Sequence, residues 1–172
     1  MKFSEWWKTT FLYRYIGSAF THPKNFWFCV KYPFWKCYDG PKGKFVGYGH
    51  LKYEEIPVGW REAMGEALSE ELARKLEAMG IWRMHWRREL RWGHIHEKFG
   101  SLRLEAICGE QLQEIINKYE VLSYGYCINC GTPVRHLVPD ADLFVCSSCY
   151  MSSLLDSQKP IDEISSILAE TR

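Results

Sequence analysis

The chain has 172 residues and a formal net charge of +1, with 16% aromatic and 25% charged residues. This length suits one well-buried domain with a small additional unit, and it excludes two ordinary domains. The sequence has no secretion pattern at its start and no apolar run near the ~20 residues that a bilayer-spanning helix needs, which predicts a cytoplasmic protein without membrane contact.

The first third of the chain is rich in aromatic residues. Apolar residues at helical spacing predict a helix over residues 3–20, whereas Pro33 interrupts residues 26–37 and favours short extended pieces there. Residues 39–49 contain several glycines and predict a turn that leads into a strand. They are not a phosphate-binding loop, because no Gly-Lys-Ser or Gly-Lys-Thr sequence ends them.

An amphipathic helix is predicted from about Gly59 to Met79. Its apolar stripe runs from Trp60 through Leu68 and Leu76, and glutamates occupy the opposite face. Gly80 stands just past the last apolar position, where a glycine commonly ends a helix. The pattern indicates core packing with a solvated acidic face.

Trp and Arg are interleaved in residues 81–93, and this alternation predicts a half-buried strand with a basic exposed side. Such a strand would concentrate positive charge on one face without loss of the core, so we assign partner recognition to the basic segment, residues 81–103. The candidate partner-binding residues are Arg83, His85, Arg87, Arg88, Arg91, Lys98 and Arg103.

Two further elements follow the basic alternation. Residues 95–106 predict two strand pieces around Gly100 and Ser101, and residues 111–123 predict a second amphipathic helix. The predicted fold class is therefore α+β: a small mixed domain with amphipathic helices on a short antiparallel sheet, followed by a C-terminal four-cysteine zinc knuckle.

The knuckle is predicted from two Cys-x-x-Cys pairs separated by fifteen residues. This spacing is typical of a four-thiolate zinc site in a ribbon-like or treble-clef-like unit. Since four thiolates leave no open coordination position, we expect structural zinc rather than catalytic zinc. The second pair is expected at the start of a helix. The predicted ligands are Cys127, Cys130, Cys146 and Cys149.

The chain thus divides into three parts. Residues 1–123 form the α+β body with its aromatic N-terminal third, residues 124–157 form the zinc knuckle, and residues 158–172 form a short C-terminal helix that Pro160 can begin. The three cysteines outside the knuckle are expected to stay free, as is usual in a reducing cytosol.

Three motifs occur together in this chain: Gly59-Trp60-Arg61 at the start of the acidic helix, Glu97-Lys98-Phe99-Gly100-x-Leu102-Arg103 in the strand region, and Cys127-x-x-Cys130-Gly131 followed by the second pair. In this combination, over residues 57–150, the chain resembles a group of small uncharacterised proteins of bacteriophages and prophages. Their strand motif commonly reads Lys-Phe-Gly-Gly-Leu-Arg-Phe, and Ser101 and Leu104 depart from it here. The resemblance implies a phage-encoded accessory protein, which would act in the host cytoplasm.

Three functions remain open from the sequence. We favour an interaction protein that binds and modulates a host protein complex, such as a defence system or the transcription machinery, because Trp and Arg are enriched at interface hot spots. The alternative is a nucleic-acid-binding zinc protein that uses residues 81–103. A His-dependent nuclease or hydrolase would need His94 and His96, but no nucleophile motif or acidic metal cluster accompanies them, so we expect no enzyme activity. The sequence does not determine the oligomeric state.

Overall fold

The computed structural model describes residues 13–39, 43–81, 85–134 and 145–153. Over these ranges, helices pack on a two-stranded antiparallel sheet, and four cysteines gather at the C-terminal side. The predicted α+β class with a knuckle-like cysteine cluster is therefore confirmed. Arg83, the loop between the two cysteine pairs and the predicted helix over residues 158–172 lie outside the described residues.

The N-terminal third differs from the prediction in two respects: Phe45 forms only an isolated bridge with Tyr38 where a strand was predicted, and part of the predicted extended region is helical. A π-helical turn, Tyr13–Gly17, leads into helix α1, Ser18–Thr21, which agrees with the described part of the predicted helix. Helix α2 spans Pro23–Lys31, so the extended pieces predicted from residue 26 are wrong there. Pro33 lies beyond the last helical residue and ends the helix without interrupting it, while Pro23 fits the first turn because its missing N–H has no intrahelical role there.

The acidic amphipathic helix is confirmed. A helical turn, Val58–Trp60, a π-helical turn, Arg61–Gly65, and helix α3, Glu66–Ala78, follow one another without a break. Gly80 adopts a φ of 71°, the left-handed conformation that glycine enters at little cost, and it ends the helix as predicted.

The basic segment starts as a helix and only then becomes a strand. Helix α4 spans Trp86–Glu89, and strand β1 begins at Leu90 and ends at Lys98. The predicted single alternating face, which placed Arg87 and Arg91 together on a strand, is therefore wrong. Trp86 lies on the helical turn and Leu90 is the first, extended residue of β1, and both are buried. Arg88 between them is exposed, which an alternating strand would not allow, because residues 86, 88 and 90 would then share one face.

Strand β1 forms a hairpin with β2, Ser101–Cys108, which confirms the two strands predicted around Gly100 and Ser101. The two turn residues have positive φ values, 52° at Phe99 and 75° at Gly100, as a tight two-residue hairpin turn requires. The register shifts between Trp92 and Ile95, where a β-bulge adds an extra residue to β1.

Helix α5, Glu110–Ser123, is also confirmed and covers the hairpin. Its side chains bind backbone groups of β2: Leu102 N–H donates to Ser123 Oγ at 2.9 Å and Leu104 N–H donates to Glu120 Oε1 at 2.7 Å. These contacts satisfy donors on a strand edge that would otherwise lack partners.

The main core joins the N-terminal third to the hairpin through Trp35. Its indole stacks on that of Trp92, with ring centroids 4.6 Å apart and planes at 5°. The Trp35 indole N–H donates to Ser69 Oγ on α3 at 2.9 Å, and both residues are fully buried. None of the helices in the described ranges has the length and apolar character to cross a membrane.

Candidate metal centre

The four predicted cysteine ligands lie together. Their Sγ atoms are all within 4.8 Å of one another, and the Sγ atoms of Cys130 and Cys146 are 3.6 Å apart. Four sulfurs ~2.3 Å from a central ion at tetrahedral angles have edges of about 3.8 Å. The cluster therefore has the size and the donor set of a closed four-thiolate metal site.

The first pair lies on a tight hairpin. Tyr126 and Pro133 form an antiparallel bridge, and Gly131 N–H donates to the Cys127 carbonyl at 2.9 Å. Gly131 has a φ of 71°, so this turn uses the left-handed conformation open to glycine. The hairpin thereby brings the sulfurs of Cys127 and Cys130 to one side.

The second pair lies at the start of a short helix, as predicted. Residues 147–153 are helical, and Tyr150 N–H donates to the Cys146 carbonyl at 3.0 Å. Cys149 therefore belongs to the first turn of this helix, where the backbone N–H groups have no intrahelical acceptor.

The first hairpin is packed tightly against the start of the long helix. Gly59 N–H donates to the Ile128 carbonyl at 2.9 Å, and the Trp60 indole N–H donates to the Tyr126 carbonyl at 2.9 Å. A Cβ on Gly59 would lie 2.3 Å from the Cys127 carbonyl oxygen, so only glycine allows this approach. The cysteine hairpin is thus fixed to the body through backbone groups.

Neighbouring groups set the proton affinity of the sulfurs. Hydrogen bonds between Cys130 and the side chain and backbone of Thr132 lower the pKa of Cys130 to about 6. Burial, followed by hydrogen bonds with the other sulfurs, raises the pKa of Cys149. The two pKa shifts are opposite because the sulfurs interact: a sulfur that keeps its proton stabilises a neighbouring thiolate. A bound cation would replace such protons.

A second group of potential ligand atoms, on Cys37, His50 and Glu55, also lies within 4.8 Å. A cation already binds this group, because Lys52 Nζ is 2.8 Å from Glu55 Oε1 and 2.9 Å from Oε2. Burial raises the pKa of Cys37 to about 11, which keeps its sulfur protonated near neutral pH. We assign no metal to this group.

The predicted partner-binding residues do not share one face. Arg87 lies against the aromatic core, with its guanidinium carbon 3.6 Å from the centroid of the Tyr38 ring, and Arg91 follows at the start of β1. At the other end of the hairpin, Lys98 precedes the turn and Arg103 forms a 3.2 Å ion pair with Glu120.

The remaining two described candidates, His85 and Arg88, are exposed. The two histidines considered for catalysis also differ in their surroundings, since His94 is exposed at the bulge and His96 is half-buried. The contacts of Gly59 and Trp60 with the cysteine hairpin were not predicted from the sequence. Their signal was the Gly-Trp pair at the start of the helix, which only the fold connects to the cysteines.

Comparison of the chain with protein-family models, with curated proteins and with solved structures finds no match. The function is therefore inferred from the geometry of the chain itself.

Proposed function

We propose that the protein is a zinc-stabilised interaction protein that binds a protein partner through the tip of its hairpin. The four-cysteine cluster would hold one Zn²⁺, since four thiolates with tetrahedral spacing suit this ion and leave no coordination position for a substrate. The ion would join the cysteine hairpin, which carries Cys127 and Cys130, to the helix at residues 147–153. In this role the metal is structural and recognition takes place elsewhere on the body.

The observation that carries this proposal is the conformation of Phe99. Its side chain is 81% exposed, although its backbone has a φ of 52°. The left-handed conformation costs a residue with a Cβ ~1–2 kcal/mol, and an exposed ring returns little of that energy to the fold. A large aromatic residue in a strained and exposed position is a reason to infer a functional contact.

The turn holds this ring in a fixed place. Gly100 N–H donates to Glu97 Oε1 at 2.6 Å, and the hydroxyl of the buried Ser101 donates to the Lys98 carbonyl at 3.0 Å. A rigid aromatic side chain loses little conformational entropy when a partner covers it. The Lys98 ammonium lies 5.7 Å from the centroid of the Phe99 ring and would add a positive charge at the edge of the contact.

Further apolar side chains lie at the same end of the molecule. Leu102 follows the hairpin turn and contacts Ser123, the last residue of α5, so the turn and the C-terminal end of α5 are close to each other. In the last turn of this helix Val121 is 67% exposed and Leu122 is 41% exposed. We propose Phe99 as the centre of the contact, with the exposed Val121 and Leu122 as further apolar groups at the same end of the molecule, and call these three residues the hairpin-tip surface.

A protein partner suits this surface better than nucleic acid. Arg103, the nearest arginine to the turn in sequence, is already paired with Glu120, and Arg87 lies at the opposite end of β1 against Tyr38. Nucleic acid would need several unpaired cations along one face. The resemblance of residues 57–150 to phage proteins supports a protein complex of a bacterial host as the partner, with Lys98 supplying a polar group at the rim of the contact.

Capture from nuclease-treated host lysate with matched variants tests the proposal. We expect F99N to lose the partner, because the ring is removed, while Asn tolerates the left-handed conformation and keeps the turn. The matched control is F20N, since Phe20 is equally exposed at 81% and lies on helix α1. This control should capture the partner as the unchanged protein does.

The unfolding free energy provides the second readout. F99N should be as stable as the unchanged protein or slightly more stable, because relief of backbone strain outweighs the loss of an exposed ring. Equal capture by F99N and F20N would overturn the proposed surface. A partner that is captured from untreated lysate but not from nuclease-treated lysate would instead support the nucleic-acid alternative.

A further inference from the structure

We propose that a cavity beside the β-bulge binds a small aromatic anion, with a nucleoside monophosphate as the biological example of that chemistry. The cavity has a volume of about 400 Å³, which is in the range of small-molecule sites. It lies between the start of β1 and the N-terminal third, away from the hairpin-tip surface. Aromatic side chains form much of its wall, namely Phe34, Tyr38, Trp86 and Trp92.

The charges around the cavity favour an anion. Among the lining residues that the structure describes, none is Asp or Glu and four are Lys or Arg, namely Lys36, Lys52, Arg87 and Arg91. Lys52 is neutralised by Glu55, and the Lys36 ammonium lies 5.6 Å from the centroid of the Phe45 ring. Burial lowers the pKa of Lys36, so its positive charge is poorly solvated and an anion nearby would stabilise it.

Two buried donors at the cavity lack acceptors. Arg91 Nε and the Trp92 indole Nε1 are both buried and have no hydrogen-bond partner among the described residues. No carboxylate in the described ranges forms an ion pair with Arg91. Buried donors without acceptors cost free energy in the empty protein. Both atoms are covered in the empty protein, so a small movement of the two side chains toward the cavity would bring them to the anionic oxygens of a ligand.

The bulge and the stacked indoles hold these donors in place. Gly93 and His94 form the bulge directly after Trp92, and the Gly93 carbonyl accepts a hydrogen bond from Lys52 Nζ at 3.0 Å. One face of the Trp92 ring is covered by Trp35, which keeps the indole from rotating. Bulges occur often next to binding sites because they redirect side chains out of the regular strand pattern.

An aromatic ligand follows from the walls together with the charge. Aromatic side chains bind planar rings by stacking, as they do with the bases of single-stranded nucleic acids. Arg87 already lies over the Tyr38 ring, so a guanidinium and an aromatic ring are combined at this wall. A ring that carries a phosphate or carboxylate would use both the apolar walls and the unpartnered donors, whereas an apolar molecule would leave the donors unsatisfied.

Isothermal titration calorimetry on the full-length protein tests the site with AMP, GMP, CMP and UMP as probes. We expect at least one of them to bind, and R91M to weaken that binding by ~10-fold or more through loss of a charged donor. W92F keeps the stacked ring, removes only the N–H and should weaken binding by ~3-fold or more. The matched control is R74M, because Arg74 is exposed on α3 and does not line the cavity.

Stability without ligand separates a binding role from a structural one. R91M should be as stable as the unchanged protein or more stable, because it removes a buried donor that has no acceptor. A less stable R91M would indicate that Arg91 supports the fold and would overturn its assignment to a ligand.

The probes also separate the parts of the ligand. Adenosine without phosphate and inorganic phosphate alone should each bind ~10-fold more weakly than the best nucleotide, and equal binding of either would overturn the inference. No binding of any nucleotide at ~1 mM would overturn it as well. A 5′-phosphorylated oligonucleotide distinguishes two ligands that share this chemistry. If it competes with the nucleotide, the ligand is the 5′ end of a strand; if it does not compete, the ligand is a free nucleotide.

Discussion

Gly59 and Gly131 lie back to back between the long helix and the cysteine hairpin. A Cβ on Gly131 would lie 2.6 Å from the Gly59 carbonyl oxygen, and a Cβ on Gly59 would lie 2.6 Å from the Gly131 nitrogen. Two residues that are far apart in the chain thus both need to be glycine for one reason. This contact fixes the cysteine hairpin to the main core.

The first prediction concerns this contact. G59A should lower the free energy of unfolding by about 2–3 kcal/mol, because the clashing atoms are backbone and cannot move aside as a flexible side chain would. Urea unfolding measures the effect. The control is G109A, whose added Cβ meets nothing within 4 Å and should change stability by less than ~1 kcal/mol. Equal stability of the two variants would show that the hairpin is not held at Gly59.

The second prediction concerns the metal. Protein purified without chelator should contain about one equivalent of zinc, and C146S should lose it, since three thiolates no longer close the site. Elemental analysis measures the content. Hydrogen exchange should then show lost protection at residues 126–134 and 145–153 first, because metal binding is folding free energy for this small unit. C108S is the control, since Cys108 lies on β2 outside the cluster. Less than about a tenth of an equivalent in the unchanged protein would contradict the prediction.

The third prediction separates two neighbouring arginines. R87E should lower the unfolding free energy by about 1–2 kcal/mol, because it removes the guanidinium from the Tyr38 ring and a 3.3 Å hydrogen bond to the Gly43 carbonyl. R88E should stay within ~0.5 kcal/mol, since Arg88 is exposed on the same helical turn. Chemical denaturation of both variants checks this. A similarly small effect of both substitutions would support the exposed basic strand that the sequence pattern predicted.

The fourth prediction is a pH dependence at Glu71. Its hydrogen bond from Lys118 at 2.7 Å is the main cause that holds its pKa below the ordinary 4.5. A lowered carboxyl pKa adds stability above the unfolded-state pKa, and this stability is lost as the pH falls through the lowered value. E71Q should therefore be less stable near pH 7 by about 0.5 kcal/mol, and the difference should vanish in acid below both pKa values.

A matched glutamate checks this pH dependence. Glu62 is exposed and forms no ion pair with other residues in the described ranges, so E62Q should differ from the unchanged protein equally little at both ends. Thermal melts from pH 2 to pH 7 provide the comparison. A gap for E71Q that is constant with pH would mean that the Lys118 contact carries no charge-dependent stability.

Sequence by itself determined the elements whose signals are local. The periodic apolar stripe with Gly80 after it was enough for the long helix, the alternation around Gly100 for the hairpin, and the Cys-x-x-Cys spacing for the cluster of four cysteines. Each of these depends on residues close in the chain, whose geometry is set by backbone period, turn chemistry or ligand spacing.

Tertiary structure alone decided the rest. An interleaved Trp and Arg pattern suits a strand or a helical turn, and the exposure of Arg88 between the buried Trp86 and Leu90 agrees with the turn at residues 86–89 and not with strand alternation. The contact of Gly59 with the cysteine hairpin and the cavity that brings Arg91 and Trp92 to Lys36 and Tyr38 join residues far apart in sequence. Such contacts have no local signature, because packing between distant segments is set by the whole core and not by the period of any one element.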